Sequence, residues 1–129
     1  MSARRILVID DQPEVVDVVR VAFEVTTDWV IVASLSVDDA AAAAGDAAID
    51  ASLLDLSVAG RDPRAAVTRL GRLTAAAPVI LLTAAPLADH ELRDLGVAGM
   101  ISKPFDPMRL AADISALLSW TEWSGPTRP

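Results

Sequence analysis

The chain has 129 residues, enough for one domain with a real core and too few for two. Hydrophobic residues make up 53% of it, which excludes a disordered tail, and a formal net charge of -7 argues against nucleic-acid binding, because phosphate backbones require clustered cations. The absence of cysteine removes disulfides, thiol chemistry and a cysteine-based zinc cluster from consideration.

The basic start, Met1 to Arg5, is followed only by Ile6 to Ile9 before two carboxylates, too short a run for a signal-peptide core. The longest apolar stretch, residues 75–88, is interrupted by Pro78, Thr83 and Pro86 and is too short to span a bilayer. The expectation is a cytoplasmic protein with no membrane partner. Ile6-Leu7-Val8-Ile9 reads as a strand buried on both faces, closed by Asp10-Asp11-Gln12 and by Pro13, which suits a first helical turn. The valines over residues 14–24 favour strand by propensity, but Glu14, Asp17, Arg20 and Glu24 recur at helical spacing. Periodicity wins, and the segment is a predicted helix.

A strand over 29–33 and an Ala-rich helix over 37–48 follow, with Ser36 as cap and Asp38 and Asp39 in the first turn. A third strand over 51–54 delivers Asp55, and a loop over 57–63 leads to a helix over 64–75. A fourth strand, 79–82, delivers Thr83; a helix over 87–95 stops at Gly96, a natural C-cap. A fifth strand over 98–101 delivers Lys103-Pro104, and the last helix covers 107–118. Beyond it the segment 120–129, rich in Ser, Thr, Gly and Pro, has little reason to fold alone.

Strands separated by helices imply an α/β fold with a mostly parallel sheet and right-handed crossovers. Such sheets bind ligands at the carboxyl ends of their strands. Asp10, Asp11, Asp55, Thr83 and Lys103 each stand just after a predicted strand. Taken singly they have ordinary explanations: helix caps, a loop aspartate, a backbone-bonded hydroxyl, a solvated lysine. Those explanations do not account for their convergence on one cleft.

With the first strand beside the third, three carboxylates face one another and repel unless a cation lies among them. Mg²⁺ suits oxygen ligands and keeps waters open for phosphate oxygens. Asp11 and Asp55 supply carboxylates, Asp10 acts through water, and the Ser57 carbonyl completes the set. A carboxylate is also a nucleophile able to form an acyl phosphate. Lys103 offsets charge on the phosphoryl oxygens and the Thr83 hydroxyl bonds to one of them.

These pieces, Ile6-Leu7-Val8-Ile9-Asp10-Asp11, Leu54-Asp55-Leu56, Leu82-Thr83-Ala84 and Lys103-Pro104-Phe105, resemble the receiver domain of two-component response regulators, in order and across nearly the whole chain. The resemblance implies a flavodoxin-like, doubly wound, five-stranded parallel sheet of order 2-1-3-4-5 with about five helices, a receiver domain over 1–119 and a short tail over 120–129. It implies a phosphoacceptor rather than a conventional enzyme, one that assists its own phosphorylation and dephosphorylation. A histidine kinase or phosphotransfer protein would serve Asp55, with Mg²⁺ on Asp11, Asp55 and the Ser57 carbonyl, a switch hydroxyl at Thr83 and a phosphoryl-contacting Lys103. It also implies a cis Lys103-Pro104 bond.

Three departures stand out: Ala59 and Pro63 replace Pro and Gly of the family loop, Met100 holds a position often Tyr or Phe, and the 83–103 segment is slightly short. They motivate a rival reading, a degenerate receiver acting as a phosphorylation-independent interaction module. An aspartyl phosphohydrolase is disfavoured because the second position after Asp55 is Ser57 rather than Asp, and a nucleotide-binding module because no Gly-rich loop follows the first strand. With the chain ending soon after its last helix, the output is expected through a downstream protein partner, a phosphorelay histidine or a homodimer. Trp120 and Trp123 are expected to cover the end of the last helix in preference to an interface, and His90 to be an exposed helix residue.

Overall fold

The computed structural model describes residues 3–120. Five strands, β1 (Arg5–Ile9), β2 (Val30–Ser34), β3 (Ala51–Asp55), β4 (Val79–Thr83) and β5 (Gly99–Ser102), form one sheet. They pair in parallel in the order β2-β1-β3-β4-β5, the flavodoxin-like arrangement. Helices α1 (Pro13–Thr26), α2 (Ala40–Ala44), α3 (Pro63–Leu73), α4 (Asp89–Leu95) and α5 (Leu110–Leu117) link and flank them.

Alternation along the strands divides the core in two. Ile6, Val8, Leu53, Ile80 and Leu82 pack with Val16, Val19 and Phe23 of α1 and with Leu110 and Ile114 of α5. Leu7, Ile9, Leu54 and Leu81 pack on the other face with Ala40 and Ala44 of α2 and Val67 and Leu70 of α3. The continuous apolar runs of β1, β3 and β4 thus follow from helices covering both faces. Phe23 meets Trp29 at a ring-centroid distance of 5.3 Å, and Trp29 meets Trp120 edge-on at 5.4 Å. The Arg4 guanidinium lies 3.8 Å over the Trp120 ring. Trp120 therefore covers the core below α1 and α5; Trp123 lies outside the described residues.

The expected helix over 37–48 is shorter. Helix α2 holds five alanines, and Ser36 caps the turn before it, its Oγ accepting from Asp39 N at 3.1 Å. Gly45, at φ +61°, ends it. Alanine has high helix propensity but little apolar surface, so a five-residue helix is what two buried alanines can hold in place. Helix α4 begins at Asp89 rather than 87, buries no residue, and ends at Gly96 in the left-handed conformation, as anticipated. The expected loop after Asp55 opens with a 3-10 turn, Leu56–Ala59. Pro63, unusual for the family loop, is accommodated as the first residue of α3, with Asp62 capping Ala65 N at 3.1 Å. No helix among the described residues is long and apolar enough to cross a membrane.

Candidate functional site

The register of the sheet builds the site. Ile9 stands opposite Leu54, so Asp10 and Asp55 leave neighbouring strands side by side. Asp55 stands opposite Leu82, and Thr83 opposite Ser102, which brings the ends of β4 and β5 to the same edge. This edge is the carboxyl end of the sheet at the reversal of strand order.

Asp10 is completely buried and Asp55 is 4% exposed, whereas Asp11 is exposed. Carboxylate oxygens from all three lie within 4.8 Å of one another. Lys103 Nζ reaches in from the loop after β5, 3.2 Å from Asp10 Oδ2 and 3.4 Å from Asp55 Oδ2. One ammonium against three carboxylates leaves the cluster net negative. Such a pocket, hard oxygens with excess negative charge and one exposed ligand facing water, can hold a divalent metal ion. A soft-metal reading fails for want of sulfur or imidazole among these ligands.

Local hydrogen bonds fix each acid. Asp10 Oδ1 accepts from Gln12 N at 2.9 Å. Asp55 Oδ1 accepts from Ser57 N at 3.3 Å and Oδ2 from the Ser57 hydroxyl at 2.8 Å, so Asp55 caps the turn that follows it. Sequence reasoning cast Ser57 as a carbonyl ligand and missed this hydroxyl contact. The spacing of Asp and Ser two apart at a strand end is the signal that could have found it.

Thr83 is 3% exposed, one strand over from Asp55. Its hydroxyl donates to Ala85 O at 2.9 Å and accepts from Ala85 N at 3.0 Å. Lys103 N donates to Thr83 O at 2.8 Å, tying the lysine loop to β4, and the Lys103-Pro104 bond is cis, as the resemblance implied. Asp10, Asp11, Asp55, Ser57 and Lys103 are thus in one pocket, and Thr83 borders it with its hydroxyl engaged in its own loop. His90 is exposed on α4.

Fold and site together define a two-component receiver. The chain belongs to the response regulator receiver domain family, whose profile matches residues 6–115. Among curated proteins it is 31% identical over 125 residues to the phosphate regulon transcriptional regulatory protein PhoB of Pseudomonas aeruginosa. That match covers 94% of this chain and 54% of PhoB, so the chain spans about half the length of this relative. The chemotaxis protein CheY4 of Vibrio cholerae superposes with a TM-score of 0.77 at 18% identity, over 90% of this chain and 99% of CheY4. A response regulator from Burkholderia pseudomallei, whose structure holds a phosphorylated aspartic acid and a calcium ion, superposes with a TM-score of 0.71 at 19% identity, over 88% of this chain and 66% of its own. At these identities the structural likenesses carry the fold.

Proposed function

We propose that Asp55 accepts a phosphoryl group from a histidine kinase or phosphotransfer protein, and that the product signals through a downstream protein partner or self-association. The observation that carries this reading is the bridging of Asp10 and Asp55 by Lys103 Nζ, at 3.2 and 3.4 Å, inside a cluster of three acids. An isolated cap aspartate has no need of a partly buried lysine and two further carboxylates.

In the proposed step an Asp55 carboxylate oxygen attacks phosphorus, and the bond from phosphorus to the donor breaks as the acyl phosphate forms. Lys103 lies where it can balance charge gathering on the phosphoryl oxygens, and Thr83 supplies a hydroxyl to one of them once it leaves Ala85. Asp11, Asp55 and the Ser57 carbonyl would hold Mg²⁺, with Asp10 acting through water. When bound, the ion offsets the negative charge of the cluster and of the incoming phosphoryl group. A receiver domain at residues 1–119, a tail at 120–129 and a cytoplasmic setting complete the proposal.

Incubation with Mg²⁺ and acetyl phosphate tests it. The wild type is expected to gain one base-labile phosphoryl mass, and Asp55→Asn none. One observation favours the rival reading of a phosphorylation-independent interaction module: the Ser57 hydroxyl already occupies Asp55 Oδ2. Absence of mass gain from acetyl phosphate and from histidine kinases alike would overturn the phosphoacceptor reading and leave that rival ahead.

A further inference from the structure

Thr83 has one hydroxyl hydrogen, and it is spent on Ala85 O, while Ala85 N donates back to the same oxygen. To donate to any acceptor on Asp55, Thr83 must give up its bond to Ala85 O, so its availability depends on where residues 84–88 hold Ala85. Two residues further on, Leu87 N donates to Met100 Sδ at 3.3 Å, a close approach for a sulfur acceptor. At the end of the loop Ala88 N donates to Glu91 Oε1 at 3.0 Å. The loop is therefore tied at three points, to β4, to β5 and to α4. Ala85 is exposed, so water can replace its partners cheaply, and α4 buries no residue. Of the two ties to the sheet, the one to β5 comes from a part-buried side chain on a strand other than the one the loop continues. Leu87 and Met100 also pack together against the core face that holds Leu81 and Leu54.

We infer that Met100 is a positioning residue for the site: its thioether holds Leu87, and through Leu87 and Ala85 it keeps the Thr83 hydroxyl away from Asp55 until a phosphoryl group competes for it. The inference rests on the phosphoacceptor reading and adds to it the atom that sets the threshold of the switch. An apolar residue of equal volume would fill the same space but leave Leu87 N without its acceptor. A contact made only in the unliganded state stabilises that state alone, so removing it favours the liganded one.

The test compares wild type, Met100→Leu and Met100→Gln in two measurements: amide hydrogen exchange, and affinity for beryllium fluoride with Mg²⁺, a tetrahedral phosphoryl analogue. In Met100→Leu, exchange at Leu87 and Ala85 is expected to rise about fivefold while core amides of β3 hold, and affinity for the analogue to tighten about threefold. The Gln oxygen can accept from Leu87 N, so Met100→Gln is expected to return both quantities towards wild type. Unchanged Leu87 exchange in Met100→Leu, or unchanged or weaker affinity, overturns the inference, as does an equal rise in exchange across the core. A wild type that binds no beryllium fluoride overturns the phosphoacceptor reading and this inference with it; a wild type that binds, with Met100→Leu identical to it, overturns the inference alone.

Discussion

Lys103 Nζ stands 3.2 Å from one buried carboxylate and 3.4 Å from another, so its charge compensates groups that have little water to do so. Replacing it by methionine keeps the stem and removes the charge. Lys103→Met is expected to lower stability by about 1–3 kcal/mol, less than for a fully enclosed pair because the lysine keeps some solvent access. Addition of Mg²⁺ should recover part of that loss, read as the urea midpoint with and without the ion; a variant as stable as wild type without metal would show that the lysine compensates nothing. A different strain is visible after α3, where Ala75 and Ala76 adopt φ of +54° and +65°. Left-handed backbone crowds Cβ, so Ala76→Gly is expected to raise stability by about 0.5–1 kcal/mol, measured by denaturant unfolding. The acids and Lys103 were legible in the sequence because each follows a strand and topology alone gathers strand ends. The Ser57 hydroxyl on Asp55 and the Met100 sulfur on Leu87 were not, since both depend on the rotamers of residues brought together by folding.

At the scale of elements, the best-read segments carried a strong periodic signal. In α1 the charged residues at helical spacing outweighed valine's strand propensity, and Val16, Val19 and Phe23 bury the face they predicted. The five alanines of α2 carry no such signal, since alanine fits core and surface alike, and its length was overestimated accordingly. Helix α3 depends on Asp62, whose side chain satisfies Ala65 N; Asp62→Ala is expected to cost about 1 kcal/mol, with faster exchange at Ala65. Helix α4 has seven residues and buries none, whereas α1 buries five over fourteen. Amides of α4 should therefore exchange through local opening, well ahead of those in α1, which open only with the whole domain. Comparable protection in both helices would contradict this account. The same looseness lies next to the loop that engages Thr83, so the element with least to lose is the one placed to move.

For the whole molecule, alternation of strands and helices made a parallel sheet with right-handed crossovers legible, the resemblance to receivers supplied the strand order, and the ligand edge follows from that order. What the order creates is a concentration of charge: a chain of net charge -7 gathers three carboxylates at one edge of its sheet. Any cation will relieve the general repulsion by screening, so a metal effect must be separated from an ionic-strength effect. A site-bound ion stabilises by mass action: at ten times its dissociation constant the gain is about 1.4 kcal/mol. For a domain of this size that corresponds to a rise in Tm of roughly 4–8 °C. Mg²⁺ is expected to produce this rise over sodium chloride of matched ionic strength. Asp11→Asn removes the exposed ligand of the cluster and should abolish the rise, while Asp17→Asn, an equal change in net charge on the outer face of α1, should preserve it. Equal responses from the two variants would place the ion elsewhere and leave the three acids without the partner their arrangement calls for.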